Sequence, residues 1–254
     1  MLTDLVGRTP RSAADALVGS FRFGERVRGD PRGPGGPPHF ALVCGVGLLA
    51  CAMAYAQTND WLIVPGVRIG PLNASSGRTD LERIFGPAPV VDRAIDMGDD
   101  TSRPGTVVYP DNPSLSLAIV WRDETRKRPE QVLVCYGLTR GTPCRWRTAS
   151  GIGMNTSLRD LESANGRPFL LLGFERDFAG TVMSWEGGKL EPELEGTGRL
   201  VLRLSPKTDG DGQFSPPLSA ADEAAVLAEK IPSDHPAMRK LNPMVYRILM
   251  VFPR

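Results

Sequence analysis

The chain has 254 residues, enough for one large domain or two small ones, and its 41% hydrophobic and 23% charged residues are ordinary for a globular protein. A formal net charge of +1 excludes the strong positive field that nucleic acid or an anionic membrane surface attracts, so no nucleic-acid partner is expected. The 28 glycines and 23 prolines predict many turns and short elements rather than long helices.

Residues 1–38 carry arginines, acids and the run "RGDPRGPGGPP", which cannot bury a core. They read as a disordered extension, or as sequence upstream of a true start further along the chain. Phe40 to Ala56, "FALVCGVGLLACAMAYA", has no charge and ends in Ala54-Tyr55-Ala56, a small-x-small pattern. We read 39–56 as a signal peptide cleaved after Ala56. A retained anchor is the alternative, although the run is short for a span. A second alternative is a lipoprotein signal, in which Leu48-Leu49-Ala50-Cys51 is a loose lipobox and Cys51 carries the lipid. The membrane is met only through this segment. The remaining chain is expected in the periplasm or outside the cell.

Export agrees with the cysteines. Cys44 and Cys51 lie in the apolar run, which leaves Cys135 and Cys144 as a pair flanking the turn-rich "YGLTRGTP". A disulfide is the expected reading in an oxidising compartment. A redox-active pair is the alternative, but such pairs favour C-x-x-C spacing.

Beyond residue 56 the chain repeats itself. "TDLERIFGPAP" at 79–89 matches "RDLESANGRPF" at 159–169 through Asp80/Asp160, Leu81/Leu161, Glu82/Glu162 and Gly86/Gly166. Each segment predicts a short helix. Ser76, and Thr156 or Ser157, supply the caps, and an aspartate occupies each first turn. Leu81 with Ile84, and Leu158 with Leu161, face the core. A glycine followed by proline ends each helix. Strand-like segments then follow in the same order in both halves: 104–110 with 179–185, 115–123 with 198–206, and 128–137 with 242–253. The expected fold is α+β, with two tandem repeats over 57–145 and 146–254. Each is a short helix on an antiparallel sheet of about three to four strands, and the second carries an inserted helix near 219–231. The sheets are expected to run into one another and form a concave face.

The helix-glycine-proline pattern (Leu81, Gly86 and Pro87; Gly151, Ile152, Thr156, Leu161, Gly166 and Pro168) resembles small envelope modules. Among these are the SmpA/OmlA-type outer-membrane assembly lipoproteins and the tandem-repeat β-lactamase inhibitory proteins. Residues Trp146–Ile152 and Gly180–Trp185 also resemble a "WRTAxGI…GTxxSW" layout of secreted bacterial proteins, which implies no activity. The modules imply protein binding rather than catalysis.

No catalytic constellation stands out. Beyond the leader the one histidine is His235, in a proline-flanked polar loop without a G-x-S-x-G elbow. Asp209-Gly210-Asp211-Gly212 starts like a calcium loop, but Ala220 stands where the bidentate glutamate belongs. Asp96, Asp99 and Asp100 form a second acidic turn. Glu175 and Asp177 would share a face if their segment were a strand. We therefore expect no metal and no cofactor. The candidate binding residues are aromatic: Trp121, Trp146, Phe174, Phe178 and Trp185, at strand ends or beside them. The leading expectation is an exported, non-enzymatic binding or envelope-accessory protein whose partner is another protein or an envelope component. The alternatives are an envelope hydrolase acting on glycan or peptide through Glu175, Asp177 or His235, and a structural lipoprotein.

Overall fold

In the computed structural model, residues 60–86, 89–98, 100–175, 177–194 and 198–253 are described. The apolar run, with Cys51, Ala54 and Ala56, lies outside them. The elements in chain order begin with β1 (Leu62–Val64), β2 (Arg68–Ile69), β3 (Leu72–Asn73), α1 (Arg78–Phe85), β4 (Val90–Gly98), β5 (Thr101–Val108), β6 (Leu117–Trp121), β7 (Pro129–Val134) and β8 (Arg147–Thr148). They continue with α2 (Leu158–Asn165), β9 (Leu170–Leu172), β10 (Val182–Ser184), α3 (Glu191–Leu194), β11 (Arg199–Ser205), α4 (Ala220–Val226), β12 (Lys230–Pro232), α5 (Pro236–Leu241) and β13 (Met244–Val251). The fold is α+β.

Six strands form one antiparallel sheet in the order β11-β13-β7-β6-β5-β4. A second sheet has the order β10-β9-β12, and a single antiparallel bridge, Thr181 to Arg203, links β10 to β11. A third, four-stranded sheet, β3-β2-β1-β8, was not foreseen; its segments are too short to show periodicity. Strand pairing crosses the point between residues 145 and 146 twice, at β1 with β8 and at β7 with β13.

Both predicted helices exist, and both end on a glycine whose amide donates to a glutamate carbonyl, Gly86 to Glu82 and Gly166 to Glu162, each at 2.8 Å. The second start follows expectation. Ser157 Oγ accepts from the Asp160 amide, and the Asp160 carboxylate accepts from the Ser157 hydroxyl and amide. The first start differs. Gly77 is the cap and Ser76 is not, because the Ser76 hydroxyl accepts from the Asn73 amide and closes the turn after β3. The Gly77 amide donates instead to Asp80 Oδ2 at 2.8 Å. The helix expected near 219–231 is shorter, ending at Val226, because Lys230–Pro232 is drawn into β12 opposite β9.

Strand alternation divides the large sheet into two faces. Inward, Leu200, Leu202, Leu204, Ile248 and Met250 join Leu81 of α1, Leu158 and Leu161 of α2, and Met238 of α5 in one core. Outward, Ile95, Val107, Ala118, Val120 and Leu133 form a smaller cluster. Gly105 makes this possible: a Cβ there would lie 2.4 Å from the Ile119 carbonyl oxygen and 2.5 Å from Ile95 Cγ1. The β4–β5 hairpin thus packs closely against the outer face over β6.

A polar network ties α1 to this hairpin. Asp92 accepts from the Thr106 hydroxyl (2.6 Å) and pairs with Arg78 (2.9 Å) and Arg126 (2.8 Å). Thr106 Oγ1 in turn accepts from Trp121 Nε1 at 2.9 Å. Burial works to raise the Asp92 carboxyl, but the Thr106 hydrogen bond and the two arginines outweigh it and hold the group below the usual carboxylate range.

Cys135 and Cys144 form the expected disulfide. The loop it closes is pinned at both ends: Asn155 Nδ2 donates to Thr142 O (2.8 Å), and Arg140 donates to the carbonyls of Ser205 and Pro206. The bond fits an oxidising compartment. Among the described residues, no helix is long and apolar enough to cross a membrane.

Candidate functional site: a groove on the outer sheet face

The outer face is left open over β7, β13 and β11, and the register there lays out three cross-strand rows. Leu133, Leu249 and Val201 are directly opposed across the three strands. On one side of that apolar row Arg247 opposes Arg203; on the other, Gln131, Val251 and Arg199 are opposed. Leu133, Leu249 and Val201 form the floor of a groove of about 430 Å³. Met97 and Thr101, from the tip of the β4–β5 hairpin, make one wall. Phe178, Thr181 and Met183, with Leu172, make the other.

Two features hold the cationic side chains. Arg247 donates to the Met97 carbonyl, which ties the hairpin tip to a strand 150 residues away in sequence. Gly98, at φ +83°, leaves room for that guanidinium: a Cβ would lie 2.5 Å from Arg247 Nη1. Arg203 is only 8% exposed, and its guanidinium lies 5.4 Å from the Phe178 ring centroid and 5.9 Å from that of Tyr246.

Four large hydrophobic side chains are exposed among the described residues: Val67, Val91, Phe178 and Met183. Phe178 at 58% and Met183 at 38% both stand on the groove wall, whereas Val67 and Val91 are not among its lining residues.

Of the five aromatic candidates, Phe178 alone lines this groove. Trp121, Trp146 and Trp185 are buried core side chains, which corrects the expected surface patch. Each indole is consumed by packing or a hydrogen bond: Trp121 on Thr106, Trp146 on the Leu115 carbonyl and edge-on to Trp61, Trp185 against Phe169. Phe174 is half-buried on Phe214, in a separate cavity of about 390 Å³. Arg247 and Arg203 were missed by sequence reading. The available signal was the arginine interrupting the apolar runs of β11 and β13, "RLVLRLS" and "MVYRILMV".

The hydrolase candidates do not converge. Glu175 and Asp177 are exposed in a turn rather than on a strand, because the chain leaves β9 at Gly173. His235 Nδ1 accepts from the Ala237 amide at 3.2 Å, so it caps α5. Asp209 Oδ1 accepts from the amides of Asp211 and Gln213 and Asp96 Oδ1 from Gly98, so each carboxylate closes its own turn. Among the described residues no cluster has metal-binding geometry. No family profile, curated protein or solved structure matches the chain.

Proposed function

We propose that this chain is an exported, non-enzymatic binding protein of the cell envelope, and that the outer-face groove is its binding site. The observation that carries the reading is the gathering of Phe178 and Met183 over an apolar cross-strand floor beside Arg247 and Arg203. Exposed apolar side chains cost solvation unless something covers them, and their concentration at one concave place marks a site. The disulfide supports the exported setting.

We further propose that the body arose by duplication, as in envelope modules built from tandem repeats. Element order supports this. In α1-β4-β5-β6-β7 each strand pairs with the next; in α2-β9-β10-β11-β13, β9 pairs with β10, the Thr181–Arg203 bridge joins β10 to β11, and β11 pairs with β13. The groove then lies beside the seam where β7 meets β13, and its two walls come from equivalent hairpins.

A photo-activatable side chain at Met183 tests the binding reading. In envelope extract, an adduct should form from position 183 and not from Val91, which is similarly open to solvent (42% against 38%) and is not among the groove-lining residues. Equal labelling from both positions, or none from 183, would overturn it.

A further inference from the structure

The three rows of the groove point to a particular class of occupant. Resting on the binding reading above, we propose that the groove takes a single-chain alkyl carboxylate, with the carboxylate on Arg247 and the chain over Leu133, Leu249 and Val201 beneath Phe178.

The charge argument begins with the register. Arg247 and Arg203 are directly opposed on neighbouring strands and project to the same face. Arg203 lies against the rings of Phe178 and Tyr246, and Arg247 donates to the Met97 carbonyl. That carbonyl satisfies one N–H of a five-donor fork, and among the described residues no ion pair engages Arg247. The Gly98 position keeps this guanidinium at the groove rather than out in solvent. A carboxylate matches the planar fork of Arg247.

The apolar argument decides between an alkyl chain and a peptide. The floor strands β7 and β13 are paired on both sides, so their amides and carbonyls are committed to the ladder. A peptide lying across that floor would bury backbone groups without partners, at a cost of about 1–3 kcal/mol each. An alkyl chain has no such groups. It needs the cross-strand row Leu133–Leu249–Val201, which spans roughly 10 Å over three strands. Phe178 and Met183 supply a cover. The volume of about 430 Å³ lies within the range of small-molecule sites.

The test is calorimetric titration of the full chain with dodecanoate, dodecanol and dodecyltrimethylammonium, each below its micellar concentration. Dodecanoate should bind at least about tenfold more tightly than the other two, the size of one charge-assisted hydrogen bond. Arg247→Gln, which keeps a donor for Met97, should lower dodecanoate affinity about tenfold to a hundredfold and leave dodecanol unchanged. Thr101→Glu, on the exposed rim, provides a second variant that does not disturb the core: it should weaken dodecanoate and strengthen the ammonium. Equal binding of the three amphiphiles, no binding of dodecanoate, or indifference to both substitutions would overturn the proposal. An adduct of protein mass from position 183 together with no dodecanoate binding would sink the alkyl carboxylate and leave the binding reading standing.

Discussion

The Arg203 guanidinium lies over the Phe178 ring, 5.4 Å from its centroid, although the ring belongs to the loop between β9 and β10 and the cation to β11. The ring is 58% exposed, so this contact does not bury it; it holds the phenyl group over the groove. Phe178→Ala should therefore cost about 1 kcal/mol or less in stability, since an exposed cation–π contact is worth about 0.5–1 kcal/mol. The same substitution should abolish the adduct formed from position 183. Denaturant unfolding beside the cross-linking assay separates the two effects, and a large loss of stability would place the ring in the core instead.

Gly105 is needed for space and not for a turn. Gly105→Ala should destabilise the protein by about 1–3 kcal/mol, because the new methyl meets the Ile119 carbonyl oxygen and Ile95. Gly210→Ala, where a Cβ meets nothing within 4 Å, is the control and should be near neutral. Urea midpoints of the two variants check this, and equal effects would contradict the packed hairpin.

Asp92 should give stability a visible acid limb. Its carboxyl is held below the usual range in the folded state, so its contribution is fully present above roughly pH 4, the unfolded value. It is lost as pH falls through the lowered native value. Asp92→Asn should flatten the fall of the urea midpoint between pH 5 and the acid extreme, with Trp121 fluorescence reporting the loosened Thr106 bond. An unchanged pH profile would mean that solvent screening leaves the network without consequence.

Removing the disulfide should cost about 2–3 kcal/mol, from the closure entropy of a short loop. The Cys135→Ser, Cys144→Ser double variant should show this as a lower melting temperature, and reductant should reproduce it in the wild-type chain. The loop 136–143 should also become more accessible to protease, because Arg140 and Asn155 would anchor a chain no longer closed at its base.

Much of the local structure was legible. Ser157 and Asp160 announce a helix start, Gly86 and Gly166 the stops, and the spacing of Cys135 and Cys144 a bond, because near neighbours in sequence decide each of these. The same logic misread Ser76, whose hydroxyl had a competing amide at Asn73 within reach. It misread the tryptophans as well. An aromatic residue at a strand end is equally suited to cover a core or to stand on a surface, and only the packing of distant segments tells which.

The sequence by itself determined the α+β class, both capped helices, the oxidised pair and the alternation that gives each long strand an inner and an outer face. Only the tertiary structure decided where the open part of the outer face lies. That depends on the register of Leu133, Leu249 and Val201 and on the Arg247–Met97 hydrogen bond, contacts between residues far apart in the chain. Alternation assigns a side chain to a face, but register and the fold of a neighbouring hairpin determine whether that face is covered. Neither is encoded within reach of any one segment.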